Sequence, residues 1–343
     1  MMRLADLGEF GIIERISRLL PATPKDVVVG IGDDVAVLDT SGPNYLLATC
    51  DIQVENVHFL RHGISPQQLG RKVVAINVSD IAAMGGRPRW ALVSLGLPSD
   101  LSVTFIDELY HGLNAQAQVS GLSIVGGNLS QIKGPLVIDL FLLGECDKEC
   151  FLRRDGARTG DAVLVTGDLG DSRAGMELLM HPELQVPEEV RTQVLAAHLT
   201  PHPQLAEGQL LAASRRVHAM LDVSDGILSD LGHICESSGV GASLDLAKIP
   251  ISSACRQVAE AAAASPEEWA LTGGEDYQLL FTADPTEVEA IQALVSQQTG
   301  AAVTVVGRIV AAPGMITVIE PDGTMKTPSG ASGWDHFKQR KQP

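Results

Sequence analysis

Six aspartates share one local context in this sequence, because each lies at or beside the end of an apolar run, near Gly, Ser or Thr. They are Asp33, Asp34, Asp51, Asp80, Asp222 and Asp225. Any one of them alone is more often a turn or cap residue than a ligand. If their segments converge, however, the charges need compensation, since two like charges about 4 Å apart repel by about 4 kcal/mol at an effective dielectric near 20. Oxygen ligands without a His/Cys set favour Mg²⁺, which completes its octahedron with water and phosphate oxygens.

Asp80 is the most informative of the six, because it is the one carboxylate in an almost wholly apolar stretch from Val73 to Gly86. A helix with so few polar positions is expected to be buried, and an ionised carboxylate there must be paired, hydrogen-bonded or bound to metal. Capping of a helix start by Ser79 or Asp80 and an ion pair with an arginine are the alternatives.

The sequence has no Gly-x-x-x-x-Gly-Lys-Ser/Thr loop and no kinase catalytic-loop signature. The nearest candidates for a phosphate-binding loop are the glycine pairs at 30 and 32, 126 and 127, and 273 and 274. Turns would explain each pair equally well. Phosphoryl transfer is therefore indicated by the carboxylates rather than by a known phosphate loop.

The composition is that of a globular protein, with 45% hydrophobic and 20% charged residues among 343, enough for two domains. The net charge of −17 argues against sequence-independent binding to nucleic acid, which depends on basic surface. No apolar run reaches the roughly 18 residues of a membrane span, and the start lacks the apolar core of a secretory signal. We therefore expect a cytoplasmic protein that binds neither nucleic acid nor membrane. The five cysteines lack Cys-x-x-Cys spacing, so neither a disulfide framework nor a zinc site is indicated.

Hydrophobic periodicity predicts alternating strands and helices, which indicates an α/β or α+β fold. Two strands around an acidic turn are predicted over 27–38, a strand over 45–50 that ends at Asp51, and a helix from Pro66 to the glycine pair at 85 and 86. Further strands are predicted over 90–97 (buried), 122–125 (stopping at Gly126), 136–144, 162–166, 242–246, 277–282 and 303–309. Further helices are predicted over 10–20, 103–119, 172–180, 188–199, 204–213, 227–238 and 286–298.

The charged segment over 146–160 predicts a domain boundary. We place the first domain at residues 1–148 and the second at residues 149–343.

Six motifs in sequence order resemble those of one family. They are Gly30-Ile-Gly-Asp-Asp34, Thr49-Cys-Asp51 with Val57-His-Phe59, Asn77-Val-Ser-Asp-Ile-Ala-Ala-Met-Gly85, Asp222-Val-Ser-Asp-Gly226, Leu271-Thr-Gly-Gly-Glu-Asp-Tyr277 and Gly333-Trp-Asp-His-Phe337. The chain resembles the thiamine-monophosphate kinases, which belong to the superfamily of aminoimidazole ribonucleotide synthetase (PurM-like). The resemblance covers nearly the whole chain.

The resemblance implies a two-domain PurM-like fold of the α/β (α+β) class. Its N-terminal domain would carry a mixed sheet with helices, bind ATP and Mg²⁺, and form the interface of a homodimer, and its C-terminal domain would be α+β. It also implies several Mg²⁺ ions, ATP as co-substrate, and transfer of the γ-phosphate directly to the phosphate of thiamine monophosphate. A phosphate nucleophile is already ionised near pH 7, so no strong general base is required.

Matched position by position, the resemblance implies a role for each site residue. The metal ligands would be Asp34, Thr49, Cys50, Asp51, Asp80, Asn128, Asp222 and Asp225, of which Asp51, Asp80 and Asp222 carry catalysis. ATP would contact Tyr110, Gly127, Asn128, Arg154 and Ser224. Thiamine monophosphate would contact His58, Glu275 and Trp334. Asp33 is a further candidate beside a matched position.

Three of these residues have plainer interpretations from sequence alone. Trp334 suits stacking on a cationic ring, but a tail residue covering the core is equally consistent. His58 would also fit as a polar residue after a strand, and Arg154 as a solvated linker charge.

Two positions depart from the family pattern. Asn128 stands where the family usually has Asp, so the site keeps a carbonyl oxygen but loses one negative charge. Cys50 stands where Thr is usual, which changes nothing if the family uses the backbone carbonyl there. These departures leave open the metal count, the rate and the substrate.

Two alternatives remain at this point. The first is that the chain is a related ATP-dependent enzyme of the superfamily that acts on another substrate. Its selenophosphate branch expects a reactive Cys near the N-terminus and its hydrogenase-maturation branch a C-terminal Cys, whereas Cys50 and Cys255 are the first and last here. A non-catalytic nucleotide-binding relative is the other alternative, with Asn128 marking lost activity.

Overall fold

The computed structural model describes residues 3–21 and 23–328. The first half comprises α1 (Leu4–Leu19), β1 (Val27–Val29), β2 (Ala36–Leu38), β3 (Asn44–Val54), α2 (Pro66–Ala83), β4 (Arg87–Pro98), α3 (Val103–Ser120), β5 (Ser123–Ile132) and β6 (Val137–Asp147). The second half comprises β7 (Ala162–Thr166), α4 (Asp171–Met180), α5 (Glu188–Leu199), α6 (Leu205–Ser214), β8 (Val217–Asp222), α7 (Ile227–Ser238), β9 (Gly241–Asp245), α8 (Ser253–Ala261), α9 (Pro266–Thr272), β10 (Leu279–Ala283), α10 (Val288–Thr299), β11 (Val303–Val310), β12 (Ile316–Ile319) and β13 (Met325–Lys326). Short 3₁₀ turns cover Leu246–Lys248 and Pro285–Glu287.

The first half is a six-stranded mixed sheet in the order β1-β2-β3-β6-β4-β5, in which only β4 and β5 pair in parallel. Helices α2 and α3 cover one face and bury an apolar core against it. The two helices approach closely because glycine lies at their contact. A Cβ atom on Gly112 would lie 1.9 Å from the carbonyl oxygen of Gln67, and one on Gly70 would lie 2.2 Å from that of Leu109.

The other face of this sheet is open. Strand β4 buries Ala91 and Val93 on the helix side but leaves Trp90 44% and Leu92 41% exposed on the outer side. The prediction of a wholly buried strand over 90–97 is therefore wrong for one of its two faces. Successive side chains of a strand point to opposite faces, and within residues 3–21 and 23–328 helices cover one face of this sheet.

The prediction that the strand from 122 stops at Gly126 is also wrong, because β5 continues to Ile132. It pairs in parallel with β4, opposite Val93 at Gly127. A Cβ atom on Gly127 would lie 1.9 Å from the carbonyl oxygen of Val93. Glycine is needed there for the approach of two strands, so this pair does not form a turn.

The second half is a seven-stranded mixed sheet in the order β13-β12-β9-β11-β7-β10-β8, with β9 and β12 parallel. One face packs on α7 and the other on α6 and α10, so the sheet is covered on both sides. Helices α4, α5, α8 and α9 form a further apolar cluster beside it. The predicted α/β (α+β) class is confirmed. Since β6 ends at Asp147 and β7 begins at Ala162, the boundary at 148/149 lies in the connection and stays a prediction.

Helix α2 joins the two halves. Its C-terminal end packs on α6, where Gly208 is needed because a Cβ atom would lie 2.1 Å from the carbonyl oxygen of Ala82. The backbone N–H of Leu152 donates to the carbonyl oxygen of Met84 over 3.1 Å. The apolar stretch from Val73 to Gly86 is therefore buried between two domains. Across the described ranges, no helix combines the length and apolar character of a membrane span.

Candidate active site

Four of the six aspartates converge where the two halves meet, and we call them the carboxylate cluster. Asp34 lies in the turn between β1 and β2, Asp51 within β3, Asp80 in the last turn of α2 and Asp222 at the end of β8. The prediction that Asp51 ends its strand is wrong, since β3 continues to Val54. Burial raises the pKa of Asp80 well above its usual range, and repulsion from the other three carboxylates raises it further.

The other members of the cluster are also shifted. Burial raises the pKa of Asp34 to about 7, with Asp222 adding to the rise and Arg154 opposing it. Burial raises the pKa of Asp51 and of Asp222 to about 6. These shifts share one physical cause, because burial destabilises the ionised form of a carboxylate.

Hydroxyl groups hold two of these carboxylates in place. Thr49 Oγ1 donates to Asp80 Oδ2 over 2.6 Å, and Ser79 Oγ donates to Asp222 Oδ2 over 2.5 Å. The capping interpretation of Ser79 and Asp80 is excluded, because α2 begins at the N-cap Ser65. The partner of Asp80 in the protein is thus a hydroxyl group rather than an arginine.

Arg154 lies against the turn that carries Asp33 and Asp34. Its Nε is 3.3 Å from Asp33 Oδ1, and its guanidinium pairs with Asp34 Oδ1. The side chain is only 15% exposed, so the interpretation of Arg154 as a solvated linker charge is wrong. The second oxygen of Asp34, Oδ2, is buried and has no hydrogen-bond partner among the described residues.

The carboxylate cluster has the oxygen ligands that a divalent cation prefers, although its side chains do not converge on one point. In the described part of the chain, no three Asp, Glu, His or Cys side chains are gathered closely enough to hold a metal ion. The other three carboxylates nonetheless raise the pKa of Asp80, and the Oδ2 of Asp34 is a buried acceptor that no described residue hydrogen-bonds. An all-oxygen set of this charge fits Mg²⁺, which takes one or two carboxylates per ion together with water and phosphate oxygens.

Asp225 lies in a turn held by a residue that sequence reasoning missed. Asp230 on α7 accepts hydrogen bonds from the backbone N–H groups of Asp225 over 3.2 Å and of Gly226 over 3.0 Å. Burial raises the pKa of Asp230 well above its usual range, and Asp225 and Asp222 raise it further. Its signal in the sequence is a lone carboxylate on the apolar side of a helix.

Glu275 lies on a second loop, which packs on the turn from Asp222 to Gly226. Its backbone N–H donates to the carbonyl oxygen of Ser224 over 2.7 Å. Lys72 of α2, which sequence reasoning missed, places Nζ 3.0 Å from Glu275 Oε1. Burial alone would raise the pKa of Glu275, but Lys72 and then His198 bring it below its usual value, with His58 adding to the effect.

His58 is fixed by the strand that precedes it. Its Nδ1 accepts the backbone N–H of Val54 over 3.0 Å, so the proton of the neutral ring is on Nε2. Because His58 acts on the pKa of Glu275, the two predicted substrate residues lie near each other.

Comparisons with known proteins identify the family. Residues 32–146 match the family described as AIR synthase related protein, N-terminal domain, and residues 158–320 match the corresponding C-terminal domain. A thiamine-monophosphate kinase of Aquifex aeolicus (strain VF5) is 41% identical over 82% of this chain and 87% of its own length. That of Escherichia coli (strain K12) is 35% identical over 96% of this chain and 98% of its own. The chain belongs to the thiamine-monophosphate kinase family.

A solved structure of the same family supports the fold. It is described as AaThiL complexed with AMPPCP and TMP, and it is 37% identical to this chain with a TM-score of 0.84, covering 98% of this chain and 99% of that one. The two-domain PurM-like fold expected of a thiamine-monophosphate kinase is thereby confirmed, as is the resemblance drawn from the six motifs.

Several positions matched to the thiamine-monophosphate kinases lie away from the cluster. The thiol of Cys50 is exposed on the face of β3 opposite to Thr49 and Asp51, so a metal role for Cys50 rests on its carbonyl oxygen. Asn128 lies on β5, three strand spacings from β3, or roughly 14 Å. Tyr110 lies half-exposed on α3.

Neither Tyr110 nor Asn128 hydrogen-bonds to the cluster within the portion of the chain that the structure describes. Trp334 lies outside the described residues. The roles given to these residues stay predictions.

Asp139 is another residue that sequence reasoning missed. It lies on the outer face of β6, opposite Ile52 of β3 and Ser94 of β4. After burial, it is the main cause of the raised pKa of Asp51. Its signal in the sequence is that Asp139 is the single carboxylate in the apolar run from Val137 to Gly144.

Proposed function

We propose that this protein is an ATP- and Mg²⁺-dependent kinase that phosphorylates thiamine monophosphate to thiamine diphosphate. The observation that carries the proposal is the carboxylate cluster, with its unpartnered Asp34 Oδ2, between the two domains. The relatives named above act on the same substrate by name, and the solved relative is bound to AMPPCP and TMP.

Asp34, Asp51, Asp80 and Asp222 would hold the Mg²⁺ ions, with the Thr49 hydroxyl and Asp225 as further ligands. When bound, the metal supplies positive charge that neutralises the phosphate groups of ATP and of the acceptor. Ser79 and Thr49 set the direction of the carboxylates through their hydrogen bonds. Such pre-set orientation limits reorganisation during the reaction.

The remaining residues position the two substrates. Arg154 presents a guanidinium beside the turn from Gly30 to Asp34, where it suits an ATP phosphate oxygen. His58 carries its proton on Nε2 and donates to the phosphate of thiamine monophosphate. Glu275 accepts a hydrogen bond from the organic part of that substrate. The attacking phosphate oxygen is already ionised, so no residue is needed to remove a proton.

Formation of thiamine diphosphate from thiamine monophosphate, ATP and Mg²⁺, measured by chromatography and by a coupled ADP assay, tests the proposal. No product with any divalent metal would overturn it. Asn128→Asp addresses the non-catalytic alternative. Because Asn128 lies far from the cluster within one chain, we expect its rate to change less than about 3-fold, whereas a large gain would favour a relative that has lost activity.

We further propose that the protein is a homodimer that pairs through the first sheet. Its location in the cytoplasm stays a prediction. The outer face presents Ile52, Trp90 and Leu92 to solvent, and among the described strands β5 is an edge with one unpaired side. Exposed apolar faces and unpaired edges favour association. Light scattering should give twice the chain mass for the wild type and about one chain mass for Leu92→Lys. Val103→Lys, on an exposed site of α3, is the control, and a monomeric wild type would contradict the proposal.

A further inference from the structure

Lys72 is a fully buried cation that the proposed chemistry does not yet use. Its side chain is 1% exposed, and its Nζ lies 3.0 Å from Oε1 and 3.1 Å from Oε2 of Glu275. Burying an unpaired ammonium group at this depth would strongly destabilise the folded protein, so the ion pair with Glu275 stabilises the charged form of Lys72. The two residues are 203 positions apart in sequence and belong to different domains.

Glu275 is held in a backbone conformation that side chains rarely adopt. Its φ is +65° and that of Tyr277 is +49°. Residues in this region persist where their surroundings hold them, and such sites cluster where ligands bind. Two main-chain hydrogen bonds fix this loop, from Glu275 N–H to Ser224 over 2.7 Å and from Tyr277 N–H to Val223 over 2.8 Å.

The carboxylate of Glu275 retains one open side. Its side chain is 26% exposed, while its Oε2 also lies 3.3 Å from Nδ1 of His198. Burial lowers the pKa of His198 to about 4, so this ring is neutral near pH 7. Lys72 therefore balances the charge of Glu275, which meets a ligand as a hydrogen-bond acceptor rather than as a free counter-ion.

Lys72 is also separated from the metal site on the same helix. Lys72 and Ser79 are seven residues apart on α2, which places them about 20° apart around the helix and about 10 Å apart along it. Ser79 holds Asp222 of the carboxylate cluster, whereas Lys72 holds Glu275. One face of α2 thus supports two sites through two separate contacts.

We propose that Lys72 is a positioning residue for the acceptor substrate. It fixes the direction and the charge of the Glu275 carboxylate, whose open side accepts a hydrogen bond from thiamine monophosphate, and it does not touch that substrate itself. This inference rests on the proposed function, in which Glu275 contacts thiamine monophosphate.

A double-mutant cycle tests the proposal with Lys72→Met, Glu275→Gln and the double variant. We measure the Kd of thiamine monophosphate by calorimetry, and KM for both substrates and kcat by the coupled assay. Lys72→Met should raise the Kd and KM of thiamine monophosphate about 10- to 100-fold. This is the loss expected when the substrate no longer donates a hydrogen bond to a correctly directed Glu275 carboxylate. The KM for ATP should stay within about 2-fold and kcat within about 3-fold. Lys148→Met, which removes a surface ion pair with Asp39, is the matched control.

The cycle separates positioning from a purely structural role. If Lys72 acts through Glu275, the double variant should bind thiamine monophosphate as Glu275→Gln does, within about 2-fold. Equal weakening by Lys72→Met in both backgrounds would overturn the proposal, as would unchanged binding in the folded single variant. Each single variant leaves one buried charge unpaired, whereas the double variant leaves none, so the Kd of the double variant can be compared with that of the wild type even if a single variant does not fold. Unchanged binding of thiamine monophosphate by the double variant would then overturn the proposal. Binding without turnover in the wild type would instead contradict the proposed function alone.

Discussion

Replacing Asp80 by Asn removes one negative charge from the carboxylate cluster but keeps an oxygen that can accept the 2.6 Å hydrogen bond from Thr49. We expect turnover to fall more than about 1,000-fold, because a predicted metal ligand is lost at the point where charge must be neutralised. The fold should survive, since the side chain keeps its size.

The same change should stabilise the metal-free protein. Burial and three neighbouring carboxylates raise the pKa of Asp80, so its ionisation near pH 8 works against the folded state. Two unit charges about 6 Å apart repel by about 3 kcal/mol at an effective dielectric near 20. Proton uptake by the cluster relieves part of the repulsion that Asp80 meets. We therefore expect about 2 kcal/mol of added stability at about pH 8, or roughly 4 °C in Tm.

Thermal unfolding in EDTA and in Mg²⁺, together with turnover, measures both effects on one preparation. Mg²⁺ should raise the Tm of the wild type more than that of the variant. Asp107→Asn, on an exposed site of α3, makes the same charge change away from the cluster and serves as control. Full activity of Asp80→Asn, or a metal-free Tm no higher than that of Asp107→Asn, would refute the reasoning.

Three further outcomes follow from the site. Without metal, the free energy of unfolding should fall as pH rises from about 4 to 7. Folded carboxylates with pKa values of about 6 and about 7 still hold protons in this range, whereas the unfolded chain has released them. Urea titrations should show this fall with pH, and Mg²⁺ should reduce it. Arg154→Met should destabilise the metal-free protein by about 3 kcal/mol, since two aspartates lose their cation, and should raise the KM for ATP; an unchanged KM would argue against ATP contact. Gly127→Ala should cost about 2–3 kcal/mol in chemical unfolding through its clash with Val93, whereas Gly126→Ala, which meets only one side-chain atom at 3.3 Å, should cost far less.

Elements with strong local signals were predictable from sequence. Helix α2 begins at Pro66 after a Ser N-cap, as its sequence predicts, and α5 and α7 have the predicted bounds. Helices α8 and α9 were missed because each is short, although Ser252 and Ser265 cap their first turns. Strands β12 and β13 were also missed, since strands of four and two residues carry too little periodicity.

In the candidate site, too, some residues have a local signal in the sequence and others do not. The turns at Asp34 and Asp222 were recognisable because aspartate beside glycine or serine follows an apolar run there. Lys72 was not, since its partner Glu275 is 203 residues away and nothing local announces that contact. The outer placement of Cys50 and Asn128 depended on strand register, which local sequence does not determine.

Helix α2 also bears on how the chain is made. During synthesis its face is complete long before its partners, since Asp222 follows Ser79 by 143 residues and Glu275 follows Lys72 by 203. Domains generally fold as units with the N-terminal one first, so this face meets water while the ribosome is still extending the chain. Lys72 and Ser79 keep this face polar during that interval. Apolar residues at the same two positions would enlarge the apolar surface of the nascent chain and favour aggregation.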